Sequence, residues 1–126
     1  MPELIREEDH VLLYLDRRRT YLVKVEKEKN FHTHKGFVKL DNLIGKGYGT
    51  KIKSNLNVEF VALKPVLRDY IMKSFRKTQI MYPKDIALTI MFSGIGPGSK
   101  VVDAGTGSGA LTTALAHFVK PKGHVY

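Results

Sequence analysis

The residues best suited to chemistry stand together at 103–111: a carboxylate, Asp103, then Ala104, and then Gly105, Gly107 and Gly109 alternating with Thr106 and Ser108, before Ala110 and Leu111. A glycine-rich turn between an apolar strand and a helix lets a ligand lie against bare backbone. The N–H groups of the first helical turn then point at that ligand. Binding of a nucleotide-like cofactor is the chemistry this arrangement supports. The bland alternative is a tight strand-to-helix connection with no ligand at all.

Two cofactor classes fit the spacing. Gly105, Gly107 and Ala110 satisfy G-x-G-x-x-G/A, the dinucleotide pattern of oxidoreductases, and Asp103 to Gly109 satisfy D-x-G-x-G-x-G, the S-adenosyl-L-methionine pattern of methyltransferases. A carboxylate beside the turn opposes a dianionic pyrophosphate and favours a ligand carrying a sulfonium and an ammonium, which tilts the reading toward methyl transfer. No G-x-x-x-x-G-K-[ST] segment is present, so triphosphate hydrolysis is disfavoured.

Elsewhere the reactive residue types are scattered. His32 and His34 alternate along an extended segment and could share a face, but no third ligand is spaced to join them, so no metal site is expected. The chain has no cysteine, which removes disulfides, thiolate zinc sites and cysteine nucleophiles. No Ser/His/Asp arrangement is readable. Arg17, Arg18 and Arg19, next to Asp16, form either a phosphate grip or a solvated turn. From Lys64 to Lys84 there are six basic residues against one acidic, with Tyr70, Phe75 and Tyr82 interleaved, and Arg76 and Lys77 are the RNA-contact candidates there. The formal net charge is +9, and its excess sits in residues 31–102, with twelve basic residues against four acidic, a field that attracts polyanions.

These residues need elements to hold them. Val11, Leu13 and Leu15 are answered by Tyr21, Val23 and Val25 around a polar turn, which predicts a hairpin. Short strands are expected again at 36–40, near 49–52 and at 58–63, giving a small barrel-like or sandwich β-domain over 1–64. From Pro65 the period becomes helical, and Pro83 opens a second helix running to Phe92 and ending near Gly94. The expected organisation is therefore a β-domain (1–64), a helical connector (65–98) and the opening of a Rossmann-like domain (99–126), an α+β to α/β architecture. With 43% hydrophobic and 26% charged residues a folded globular protein is expected. No apolar run approaches the roughly 20 residues that cross a bilayer. The acidic N-terminus MPELIREED does not read as a signal peptide, so the expected location is the cytoplasm, with no membrane partner.

Phe31-His32-Thr33 with Gly36, then Ile44-Gly45, Pro65 with Asp69-Tyr70, and Arg76-Lys77-Thr78-Gln79-Ile80-Met81-Tyr82-Pro83-Lys84-Asp85 accompany the glycine turn. Together they resemble the class I S-adenosylmethionine-dependent tRNA (adenine-N1)-methyltransferases that act on the T-loop, along nearly the whole chain. The resemblance implies that Gln79 and Ile80 contact S-adenosyl-L-methionine, that residues 105–111 wrap its methionine part, and that Asp103 anchors or orients the loop. It also implies a tRNA substrate and a homotetramer. Tyr82 stands where the family often has His, and Asn55 to Asn57 replace a region where Gly is common. The resemblance further implies an acid after the second strand and a catalytic aspartate after the fourth. This chain reaches His124-Val125-Tyr126 as the second strand begins, so no catalytic residue is assigned within it, and the chain alone is expected to be inactive.

Overall fold

Residues 1–74 and 79–126 are described by a computed structural model. They divide into two compact units, Met1–Val66 and Leu67–Tyr126, so that residues 67–98 cluster with 99–126.

In the first unit, alternating apolar residues produce short antiparallel strands: β1 (His10–Asp16), β2 (Arg19–Lys24), β3 (Asn30–Thr33), β4 (Gly36–Lys39), β5 (Thr50–Lys53) and β6 (Glu59–Leu63). Four of them form a sheet in the order β2-β1-β6-β5, while β3 and β4 pair only with each other. The expected barrel-like domain is thus not a closed barrel. The ladders among the described residues join β2 to β1, β1 to β6 and β6 to β5, and β2 does not pair with β5. Strand alternation sends Val11, Leu13, Val23, Ile52, Phe60 and Ala62 into one core, which Val25, Val38, Leu40 and Leu43 complete. Phe60 is fully buried, and removing a side chain of that kind from water stabilises by about 1.5–3 kcal/mol.

The second unit contains α1 (Leu67–Ser74), α2 (Pro83–Ser93), β7 (Lys100–Val101), α3 (Ala110–Phe118) and β8 (His124–Val125). Pro83 opens α2, and Gly94 closes it in the left-handed region at φ 66°, donating its N–H to the carbonyls of Ile90 and Met91. β7 and β8 run parallel, Lys100 opposite His124 and Val101 opposite Val125, with α3 making the crossover. Ala110 and Ala114 are small and buried, and with Ile71, Ile86, Ile90 and Leu115 they form the core, with Val101 and Val125 packed against it. At Gly123, by contrast, a Cβ would lie 2.4 Å from the Val119 carbonyl oxygen and 2.5 Å from that of Ser99, so the turn from α3 into β8 has room only for glycine.

Candidate cofactor-binding site

The segment 102–109 leaves β7 and enters α3. Asp103 is fixed at the strand end by its backbone N–H, which donates to the Tyr126 carbonyl at 2.9 Å. Three left-handed residues then turn the chain: Gly105 at φ 82°, Gly107 at φ 56° and Gly109 at φ 83°. An L side chain at these angles is strained by about 1–2 kcal/mol, whereas glycine is not. Crowding plays no part, because a Cβ at Gly105 or Gly109 would meet nothing within 4 Å. The loop surface is open: Ala104 to Gly107 are exposed, Ser108 and Gly109 half-buried, and Ala110 and Leu111 lead into the core.

Gly109 is the N-cap of α3 and has no side chain to satisfy the first-turn amides. Its own N–H closes the loop on the Thr106 carbonyl at 3.0 Å, and its carbonyl accepts the first helical bond, from Thr113, at 2.8 Å. No acidic residue stands in that first turn. The loop therefore presents two opposite features: a carboxylate at the end of β7, and the positive end of a helix with uncapped amides.

A side chain that the sequence reading missed joins the two. Thr112, on α3, donates its hydroxyl to Asp103 Oδ2 and ties the strand end to the helix across the glycines. The signal lay in Thr112 and Thr113, two hydroxyl residues among the otherwise apolar residues 110–116.

Ile80 is half-buried against the core cluster that contains Ala110, and Leu111 packs on the same cluster. Gln79 is exposed. Arg76 and Lys77 lie outside the described residues. Arg17 and Arg18 form the turn between β1 and β2 while Arg19 already begins β2, and all three are exposed. Asp16 organises it: its Oδ1 accepts the N–H groups of Arg18 and Arg19 at 2.9 Å, and its Oδ2 lies 2.6 Å from the Arg19 guanidinium. These bonds, the Arg18 N–H foremost, hold the Asp16 carboxyl below its ordinary pKa. His34 sits in the β3–β4 turn and not on the strand with His32. Among the described residues no group of three or more His, Asp or Glu is placed to hold a metal ion, and no helix is long and apolar enough to cross a membrane.

Comparison with known proteins decides the family. Residues 58–126 match the model of the tRNA methyltransferase complex GCD14 subunit, and residues 4–52 match a TrmI-like N-terminal model. The chain belongs to this tRNA methyltransferase family. Among curated relatives, the tRNA (adenine(58)-N(1))-methyltransferase TrmI of Thermus thermophilus is 38% identical over 115 residues, covering 90% of this chain and 45% of the relative. The catalytic subunit trmt61a of Dictyostelium discoideum is 31% identical over 127 residues, covering 98% and 40%. A SAM-dependent O-methyltransferase of Thermotoga maritima superposes with a TM-score of 0.88 at 36% identity, covering 96% of this chain and 45% of that one. For the tRNA (m1A58) methyltransferase TrmI of Aquifex aeolicus the values are 0.78, 31%, 98% and 47%. The chain thus spans under half the length of each of these four proteins. All four are methyltransferases, so the oxidoreductase reading of the glycine spacing is not favoured.

Proposed function

We propose that this chain carries the methionine-side part of an S-adenosyl-L-methionine site in a tRNA (adenine-N1)-methyltransferase acting on a T-loop adenine. The observation that carries it is the pairing of Asp103, braced by Thr112, with three left-handed glycines and an uncapped helix N-terminus, in a chain of this family. S-adenosylmethionine, when bound, supplies a methyl group made electrophilic by its sulfonium. A zwitterionic amino-acid moiety fits a site with one carboxylate and one set of free amides, because each charge finds its opposite. In this reading Asp103 orients the loop and favours the cation, the amides of Ala110 and Leu111 favour the carboxylate, and residues 104–109 let the ligand approach the backbone. Gln79 and Ile80 border it from the segment before α2. Arg17, Arg18, Arg76 and Lys77 contact tRNA, with Arg19 engaged by Asp16, and the assembled enzyme is a homotetramer.

Ultraviolet cross-linking of methyl-labelled S-adenosylmethionine to the chain, followed by peptide mapping, tests the site. Label is expected within 103–111 and about tenfold weaker in Asp103→Asn, the size of one charge-assisted hydrogen bond. Label mapping elsewhere, or competition by NAD at lower concentration than by unlabelled S-adenosylmethionine, overturns the reading.

A further inference from the structure

Phe31, Thr33 and Gly36 fix the β3–β4 hairpin from its inner side, and His32 between them is exposed. Phe31 is half-buried against Tyr21, with ring centroids 5.5 Å apart. The Thr33 hydroxyl donates to the Gly36 carbonyl at 2.9 Å and accepts the Lys35 N–H at 3.0 Å. Gly36, at φ +94°, is pressed so closely on the 54–57 loop that a Cβ would lie 2.3 Å from Asn55 Oδ1. The register sets Phe31 opposite Val38 and His32 opposite Phe37. Alternation therefore turns Phe31 and Val38 to the core and puts Asn30, His32, Phe37 and Lys39 on the other face. On that face the His32 and Phe37 rings lie 5.7 Å apart.

A second segment is clasped to the hairpin end. The buried Ser54 donates its hydroxyl to the Lys35 carbonyl at 2.6 Å, and Asn55 Oδ1 accepts the Phe37 N–H at 2.7 Å. This clasps the end of β5 to the turn that carries His34 and Lys35, while Lys53 stands opposite Glu59 in the β5–β6 ladder. Residues 30–40 contain no acidic residue. Elsewhere in the unit lysines face glutamates: Lys24 with Glu8, Lys27 with Glu7, Lys29 with Glu26, Lys51 with Glu59 and Lys64 with Glu3. Lys35, Lys39, Lys46 and Lys53 make no ion pair among the described residues, and of these Lys35 and Lys39 belong to the hairpin.

We propose that this hairpin face, formed by His32, His34, Lys35, Phe37 and Lys39, is a contact surface for RNA, with the lysines on phosphates and the His32 and Phe37 rings against an unpaired base. An acidic protein would match the charges and leave the ring pair unused; unpaired nucleotides use both, since every base offers a face for stacking. The inference rests on the tRNA reading above and assigns it a surface other than the arginine turn.

Fluorescence anisotropy of a labelled, unmodified tRNA transcript with the full chain, between 50 and 200 mM salt, tests it. Lys35→Gln combined with Lys39→Gln should weaken binding about tenfold and lower the log–log salt slope by about two, roughly one per phosphate contact. His32→Ala, at an exposed position, should weaken binding about fivefold without changing that slope. Lys24→Gln combined with Lys27→Gln removes the same net charge elsewhere and should leave binding within about twofold. Equal losses in the two double variants with unaltered melting, a wild-type chain without tRNA affinity, or polyglutamate competing as well as tRNA would each overturn the proposal. Cofactor cross-linking separates the two readings: label retained at 103–111 by a chain that ignores tRNA sinks only this surface, and the reverse result sinks only the cofactor site.

Discussion

In the first unit Phe60, Leu13, Leu43 and Val25 are fully buried, whereas in the second Met91, Phe92 and Val102 keep 78%, 86% and 76% of their surface. The contrast follows from how each sheet is built. β1 and β6 each pair on both sides, and the alternating side chains of the four-stranded sheet close on one another. β7 pairs with β8 alone, and α2 carries apolar residues at Leu88, Met91 and Phe92 beyond those that reach the core. Parallel strands are ordinarily covered on both faces, so Val102 marks a face of the second unit that its own residues leave bare. The first unit owes its stability to its own core, and the second holds the loop chemistry on a smaller one.

The largest effect lies in the core of the first unit. Phe60→Ala should destabilise the first unit by about 3–5 kcal/mol, since it leaves a cavity among residues with no space to relax. Phe92→Ala, an equal loss of volume at an exposed site, should stay within about 0.5 kcal/mol. Urea unfolding followed by hydrogen exchange in each unit reads both, and equal costs would refute the division into a closed and an open apolar surface.

Glycines draw the same line inside the second unit. Gly123→Ala meets backbone oxygens and should cost about 1–3 kcal/mol as overpacking. Gly105→Ala meets nothing and should cost only the left-handed strain, about 1–2 kcal/mol, while abolishing cofactor cross-linking. Thermal melting ranks the two variants, and a Gly105→Ala chain that cross-links normally would return the loop to a plain connection.

Local rules made much of this legible. Alternation at 11–15 and 21–25 predicts the β1–β2 hairpin, Pro83 and Gly94 bound α2, and the Asp103 to Gly109 spacing predicts the strand, loop and helix that are found. What stayed hidden depends on contacts distant in sequence. Nothing near residue 36 announces that Asn55 will sit against it, so the hairpin face was read as a pair of histidines on one strand. Ladder closure depends on whether β2 and β5 meet, which alternation within each strand does not encode. Asn57, in the region where the family commonly has Gly, adopts φ 61°, a left-handed angle that asparagine tolerates nearly as glycine does. The tie from Thr112 to Asp103 spans nine residues and appears only once α3 folds back along the strand end.

Two aspartates hold two turns in different ways, and the smallest predictions separate them. Thr112→Val keeps the volume, removes the hydroxyl that reaches Asp103, and should cost about 0.5–1.5 kcal/mol with a weakened cross-link at 103–111. Asp16 instead binds backbone N–H groups at the arginine turn, and its folded-state pKa lies below the ordinary 3.8. A depressed carboxyl contributes stability that is fully present above the unfolded pKa and is lost as pH falls through the folded one. The arginine turn should therefore loosen only below about pH 4, and by little, because Asp16 is solvent-exposed and its ion pair is screened. Carbon-detected NMR of the Asp16 carboxyl, with the Arg18 and Arg19 amides followed through the same titration, should show one common midpoint below 3.8. Amides that shift at a different pH from the carboxyl would mean that the turn is held by something other than Asp16, and Arg19 would then be free to join Arg17 and Arg18 on a phosphate.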